Sequence, residues 1–236
     1  MGTTTEAEIH HQHRDVGGGW LRPTVFGAMD GLVSNFALVA GVAAASSSGT
    51  QVTLAGWAGL VGGAFSMAAG EFISVRSQNE STAAEVEVER RELLTNAAAE
   101  QAELAQAFVA KGVDADIAAI VAAQLSRDPD QALLVHAREE LGVDPKQLPS
   151  PAVAAASSLA SFALGAFVPL LPYLLGATTI VVPAVLAVVA LFAAGAVTSR
   201  FTSRSWWFAG ARQLAFGLAA AAVTYGVGAA FGATVG

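Results

Sequence analysis

Two carboxylates stand inside otherwise apolar stretches of this chain, Asp30 in FGAMDGLVSNF and Glu71 in FSMAAGEF, and Met67 precedes Glu71 by four residues. On a helix that spacing puts the Met67 thioether and the Glu71 carboxylate on one face, a turn apart. A site of Asp30, Met67 and Glu71 would mix hard oxygen with soft sulfur, which suits ferrous iron or manganese better than magnesium or calcium. Without metal the same carboxylates can take up protons, the minimum chemistry for exchanging a metal ion against protons. The plainer alternatives are that Met67 only packs and that Glu71 only marks the interfacial end of a helix. A carboxylate within an apolar span is costly unless it serves a purpose, and the argument is strongest for Asp30, the deeper of the two.

A second group lies downstream. From Arg76 to about Lys111 the residues are strong helix formers carrying two Glu-x-x-Glu pairs, Glu89/Glu92 and Glu100/Glu103. In one continuous helix these four positions fall within roughly 80° of each other. If Thr95-Asn96 is instead a break with a new cap, each pair keeps one face and the two helices can converge on a shared site. Clustered like charges repel unless a cation binds, which points to metal; a solvated acidic face, eased by Arg90 and Arg91, is the alternative. Farther on, His136 and Glu140 lie one turn apart on an amphipathic helix and add two possible ligands. Asp128-Pro129 reads as the turn before that helix, because the DPD segment lacks the Gly and terminal Glu of a calcium loop. His10, His11 and His13 in the N-terminal tail receive no role.

Such groups need long helices to position them. A bilayer core of about 30 Å takes roughly 20 apolar residues in a helix, and five segments qualify: 24–45, 54–75, 152–172, 177–198 and 211–233. Asp30 then sits roughly 9 Å inside the first span, and Glu71 lies at similar depth in a second span running the opposite way. Short uncharged connections, Ser46 to Thr53 and Pro172 to Gly176, join antiparallel pairs. Only the connection from Arg76 to Ser150 is domain-sized.

The charge distribution supports two environments. The chain is 54% hydrophobic with a net charge of −7, yet 14 of its 19 acidic residues lie between Glu80 and Asp144. Its mean hydropathy of +0.54 is too high for a soluble globular domain. All 12 Lys and Arg flank alternate ends of the spans, so the positive-inside rule puts the N-terminus, the acidic segment and the 199–212 connection in the cytosol, with the C-terminus on the other side. Trp206, Trp207 and Phe208 fit an interfacial aromatic belt. Small residues in GLVGGAF and FAAGAV permit close helix approach, within one subunit or between two.

The expected fold is therefore all-α: an integral membrane protein with five transmembrane helices and a cytosolic three-helix acidic metal-binding domain between the second and third. Its parts are a polar tail at 1–23, transmembrane helices one and two at 24–75, the acidic domain at 76–150 and transmembrane helices three to five at 151–236. No cysteine is present, which excludes disulfides, thiolate zinc sites and iron–sulfur clusters. The N-terminal sequence has no basic and apolar leader pattern, so the first span is expected to act as the insertion signal. No prosthetic group is expected, only divalent metal as cargo.

Taken together, RPTVFGAMDGLVSNFALVAGV, GLVGGAFSMAAGEFISVRSQNE, the Glu-rich helix after them and SFALGAFVPLLPYL resemble the vacuolar iron transporter family, from Leu21 to the C-terminus in order. The resemblance implies a five-span homodimer that exchanges protons for ferrous iron, moving the metal from the cytosol into a vacuole or, in bacteria, out across the plasma membrane. It implies Asp30 and Met67 as pathway ligands, with Glu71 at the cytosolic entrance. Glu89, Glu92, Glu100, Glu103 and Glu140 would form the cytosolic metal site. The chain departs from the family at His136, where methionines are common; an imidazole there leaves the preference among iron, manganese, cobalt and zinc open.

Other function classes are less well served. A membrane-bound diiron ferroxidase would call for Glu-x-x-His on paired helices, and the chain has only His136-x-x-Glu139. A metal sensor that does not transport would leave Asp30 without a purpose. The net charge and the lack of a basic stripe disfavour nucleic acid. No phosphate-binding glycine loop ending in Lys-Ser or Lys-Thr is present, so a proton gradient rather than a nucleotide would drive transport.

Overall fold

The computed structural model describes residues 19–46 and 48–235, and every regular element among them is helical. The histidines at 10, 11 and 13 lie outside the described residues. Eight α-helices follow in order: α1 Leu21–Ala45, α2 Gly49–Thr95, α3 Ala97–Ala110, α4 Ala115–Leu125, α5 Pro129–Glu139, α6 Pro151–Leu174, α7 Val181–Thr198 and α8 Trp206–Val235. Among them α1, α2, α6, α7 and α8 are long and apolar enough to cross a membrane, and this is a membrane protein.

The helix bounds differ from the expected spans in two informative places. A turn precedes α7, which begins at Val181 rather than at 177. The amides of Gly176 and Ala177 close α6 on the carbonyls of Tyr173 and Pro172, with Gly176 at φ 94°. That left-handed cap favours glycine, and the chain needs the residues after it to turn. The second difference is α2, which does not stop near residue 75 but runs for 47 residues to Thr95. No Gly or Pro interrupts it after Gly70, so nothing in the backbone chemistry ends the helix sooner.

The chain divides into two compact units, one comprising the residues up to Ala68 and from Val153 onward, the other Ala69–Ala152. In the first unit, Leu32, Phe36 and Ala40 of α1 pack with Ala187 and Leu191 of α7 and Ala221 of α8. Leu60 and Ala64 of α2 pack with Phe162, Ala166 and Leu170 of α6. Small residues set these distances: a Cβ added to Gly31 would strike the Phe162 carbonyl, and one added to Gly165 would strike that of Ala28. Polar groups, Asn35 buried and Thr224 half-buried, add specific ties. Asn35 Nδ2 donates to Ala166 O at 2.6 Å and Thr224 Oγ1 to Ala37 O at 2.6 Å, as helices do where lipid gives no hydrophobic drive for association. Large apolar side chains such as Phe65, Leu164, Val185 and Phe216 remain exposed, the surface that hydrocarbon rather than water would cover.

The second unit contains the distal part of α2 with α3, α4 and α5. A break at Asn96 separates α2 from α3: its backbone leaves the helix (φ −129°, ψ 33°), its amide donates to Glu92 O, and its carbonyl accepts from the amides of Ala99 and Glu100. After α3, the amides of Gly112 and Val113 bond back to Val109 and Phe108, with Gly112 at φ 93°, a left-handed close to the helix. Asp128 caps α5 by accepting from the amides of Asp130 and Gln131, and Pro129 opens the helix. The DPD segment is thus a helix start.

Candidate metal centre

Three helices of the second unit bring four side chains to one point. Glu89 comes from α2, Glu100 from α3, His136 from α5, and Glu140 from the residue that ends α5. One oxygen from each carboxylate and one imidazole nitrogen all lie within 4.8 Å of one another. His136 Nδ1 is 2.7 Å from Glu140 Oε1, 3.0 Å from Glu89 Oε1 and 3.7 Å from Glu100 Oε2. Among the described residues, no other group of three or more carboxylates and imidazoles comes this close together.

The local sequence explains the convergence. His136 and Glu140 lie on one face of α5 by their i,i+4 spacing, and the apolar neighbours Ala132, Leu133 and Ala137 bury that helix. The turn at Asn96 redirects the chain, so that Glu89 and Glu100 approach the histidine from separate helices.

Burial and like charge set the electrostatics. Glu89, Glu100 and His136 are only 9%, 7% and 0% exposed. Desolvation pushes the Glu89 carboxyl up to about 7 from its ordinary 4.5; Glu140 and Glu100 push the same way, and His136 opposes them. Glu100 is also raised, by desolvation first and then by Glu103, with Glu140 and Glu92 adding to it and His136 opposing. His136 Nδ1 and Glu140 Oε1 share a hydrogen bond at 2.7 Å, while Glu89 Oε1 and His136 Nε2 are buried without any hydrogen-bond partner. Three carboxylates held this close, two of them buried, gain most from a divalent cation, and their donor set of oxygen plus imidazole nitrogen suits a transition metal.

The remaining candidate ligands lie elsewhere. Glu92 and Glu103 are exposed, and Glu92 accepts from Asn96 Nδ2 at 2.6 Å. They contribute charge to the surroundings of Glu100 rather than ligand atoms to the group of four. Arg90 and Arg91 turn to Glu87, whose carboxylate Arg90 approaches at 3.5 Å and whose carbonyl accepts from Arg91. Lys111 pairs with Glu139, and Arg138 holds Asp144 at 2.6 Å, which keeps the Asp144 carboxyl below its usual range.

In the first unit Asp30 is exposed on α1, on the same face as Phe26, Ser34 and Leu38, and its carbonyl accepts from Ser34 Oγ. Met67 is half-buried on α2 against Leu60, Ala64, Phe162, Ala166 and Leu170. Glu71 is half-buried on the same helix and falls in the second unit. No signal in the spacing could show which glutamate of each pair turns inward, because that depends on the rotation introduced at Asn96.

Known proteins match this chain over most of its length. The profile of the VIT family matches residues 21–229. A protein of Acanthamoeba castellanii named vacuolar iron transporter is 39% identical over 218 residues, covering 89% of this chain and 78% of its own. The Arabidopsis thaliana vacuolar iron transporter 1 is 32% identical over 202 residues, 84% of this chain and 80% of its own. A rice protein (Oryza sativa subsp. japonica) named vacuolar iron transporter homolog 5 is 34% identical over 215 residues, 88% of this chain and 78% of its own. With a match over nearly all the described helices, the chain belongs to the VIT family.

Proposed function

We propose that this protein is a proton-coupled exporter of divalent iron or manganese, taking metal from the cytosol and releasing it on the other side of the membrane. The observation that carries the reading is the Glu89–Glu100–His136–Glu140 group, its first three members buried, whose clustered carboxylates and unpartnered atoms suit it to capture a cation. The names of the relatives, which specify iron transport, support the choice of cargo.

In this account the acidic unit faces the cytosol and loads the metal. Glu92 and Glu103, exposed beside Glu100, draw cations toward the site by long-range attraction. The ion then passes to Asp30 and Met67 in the first two spans, with Glu71 at the entrance, and protons take its place on the carboxylates. Asp30 is exposed on a single subunit, which supports a homodimer whose interface lines the path. The basic residues place the N-terminus in the cytosol and the C-terminus opposite, in the plasma membrane of a bacterium or the vacuolar membrane of a eukaryote. Trp206 and Trp207, both exposed at the start of α8, then sit at the cytosolic interface.

The test is ferrous iron uptake into proteoliposomes under an imposed pH gradient, with proton flux followed in parallel. Metal entry coupled to counterflow of protons supports the exporter. Metal binding without movement under either gradient polarity sinks it and leaves a sensor or a membrane ferroxidase.

A further inference from the structure

The Nδ1 atom of His136 is the point on which the acidic group converges, with carboxylate oxygens at 2.7, 3.0 and 3.7 Å. Donor atoms that share one ion at bonds of about 2.0–2.2 Å lie about 2.9–3.5 Å from each other. The three spacings straddle that range, so one ion can take the nitrogen as a vertex of its shell after small side-chain shifts. The imidazole is fully buried with Nε2 unpartnered, and Glu89 Oε1 beside it is also buried without a hydrogen bond. A residue that merely filled this space would be better apolar, since orphaned buried polar atoms destabilise the fold. Carboxylates alone form a hard oxygen set that accepts magnesium, calcium and manganese, whereas imidazole favours iron, nickel, copper and zinc. Burial adds to the discrimination, because magnesium sheds its water reluctantly and prefers sites that leave several waters in place.

We propose that His136 sets the metal preference of this site, its single nitrogen among carboxylate oxygens selecting ferrous iron, cobalt, nickel and zinc over manganese, magnesium and calcium. The inference rests on the capture role proposed above and narrows the cargo named there to iron rather than manganese.

The chain has four histidines, three of them at 10, 11 and 13. Replacing those three by Gln throughout leaves His136 as the sole imidazole of these 236 residues, so any imidazole nitrogen bound to metal must be its own. In that background, pulsed electron paramagnetic resonance of bound Cu2+, displaceable by Zn2+, is expected to show imidazole nitrogen coupling that His136→Gln abolishes. Competition titrations with Zn2+, Co2+ and Mn2+ are expected to show a loss of about tenfold or more for Zn2+ and Co2+ in His136→Gln and His136→Ala, with Mn2+ within about threefold. Absence of nitrogen coupling in the background protein, or an equal loss for all three metals, overturns the selectivity inference while leaving capture intact. If Glu89→Gln with Glu100→Gln binds every metal as tightly as the background protein, the capture reading fails and this inference fails with it.

Discussion

His136 Nδ1 on α5 lies 3.0 Å from Glu89 Oε1 on α2, yet its hydrogen bond is made with Glu140 and the Glu89 oxygen is left buried without one. The polar residues of the site are therefore close enough to share an ion but satisfy one another only in part. A divalent cation among these atoms would offset the repulsion of the clustered carboxylates.

Glu89→Gln separates the two properties. The substitution removes a desolvated charge from among Glu100 and Glu140, so the metal-free variant is expected to unfold at a higher temperature than wild type at about pH 8, where Glu89 is ionised. The same change removes a ligand and is expected to weaken metal binding by about tenfold or more. Thermal unfolding in detergent and metal titration read the two effects, and a variant that is less stable without metal would contradict this account.

The pH dependence has a defined sign. The folded-state carboxyl of Glu89 titrates at about 7 rather than 4.5, so its contribution to stability is fully present below the unfolded value and is lost as pH rises through the folded one. The metal-free protein should thus lose stability between about pH 4.5 and 8 from this group, with Glu100 acting in the same direction. Metal requires the ionised form, so affinity climbs over the same window and binding releases protons. Calorimetric titration at about pH 6 and 8 in buffers of different ionisation enthalpy counts those protons; equal affinity at both pH values would refute the assignment.

Gly31 of α1 and Gly165 of α6 are among the glycines on which helix contact in the first unit depends. Gly31→Ala or Gly165→Ala places a methyl group on a carbonyl of the facing helix, where no flexible side chain can yield, and is expected to cost about 1–3 kcal/mol or more. Gly226→Ala, with open space around the added carbon, is the control expected to fold normally. Yield of monodisperse protein in detergent and its thermal midpoint distinguish the three.

Asn35 tests the polar tie between α1 and α6. Losing its 2.6 Å bond to Ala166 O in Asn35→Ala is expected to cost about 0.6–2 kcal/mol, in keeping with interhelical hydrogen bonds in membranes. Asn35→Asp should be worse, because it sets a carboxylate oxygen against a carbonyl oxygen in a buried position. Steric-trap or denaturant unfolding in bicelles measures both, and equal stability of the Asp variant would contradict the burial assigned to this residue.

The five apolar helices were legible because bilayer thickness imposes a length and composition that few other folds need. The ends were less legible. Nothing in a hydropathy window signals that α2 continues to Thr95, since its apolar and polar stretches are both good helix formers, and only the lack of Gly or Pro after Gly70 hints at it. At the acidic site, the spacing of Glu89/Glu92 and Glu100/Glu103 left open whether one helix or two carried them. The backbone at Asn96 decides for two, and with it which glutamates are buried. The pairing of His136 with Glu140 could be read from a four-residue spacing, but its approach to Glu89 is tertiary and has no local signature. The role proposed for Asp30 rests on the rarity of carboxylates in apolar spans and on the resemblance, and that of Met67 on its spacing from Glu71 and on the resemblance, since a single chain leaves Asp30 exposed.

The most direct test of capture followed by transport is the initial rate of ferrous iron entry into proteoliposomes as a function of iron concentration, for wild type, Glu89→Gln with Glu100→Gln, and Asp30→Asn. The account predicts that the double variant needs about tenfold or more iron for half-maximal rate but approaches the wild-type maximum, whereas Asp30→Asn transports at no concentration. A double variant that saturates at the wild-type concentration, or an Asp30→Asn protein that still moves iron at the wild-type rate, would contradict it.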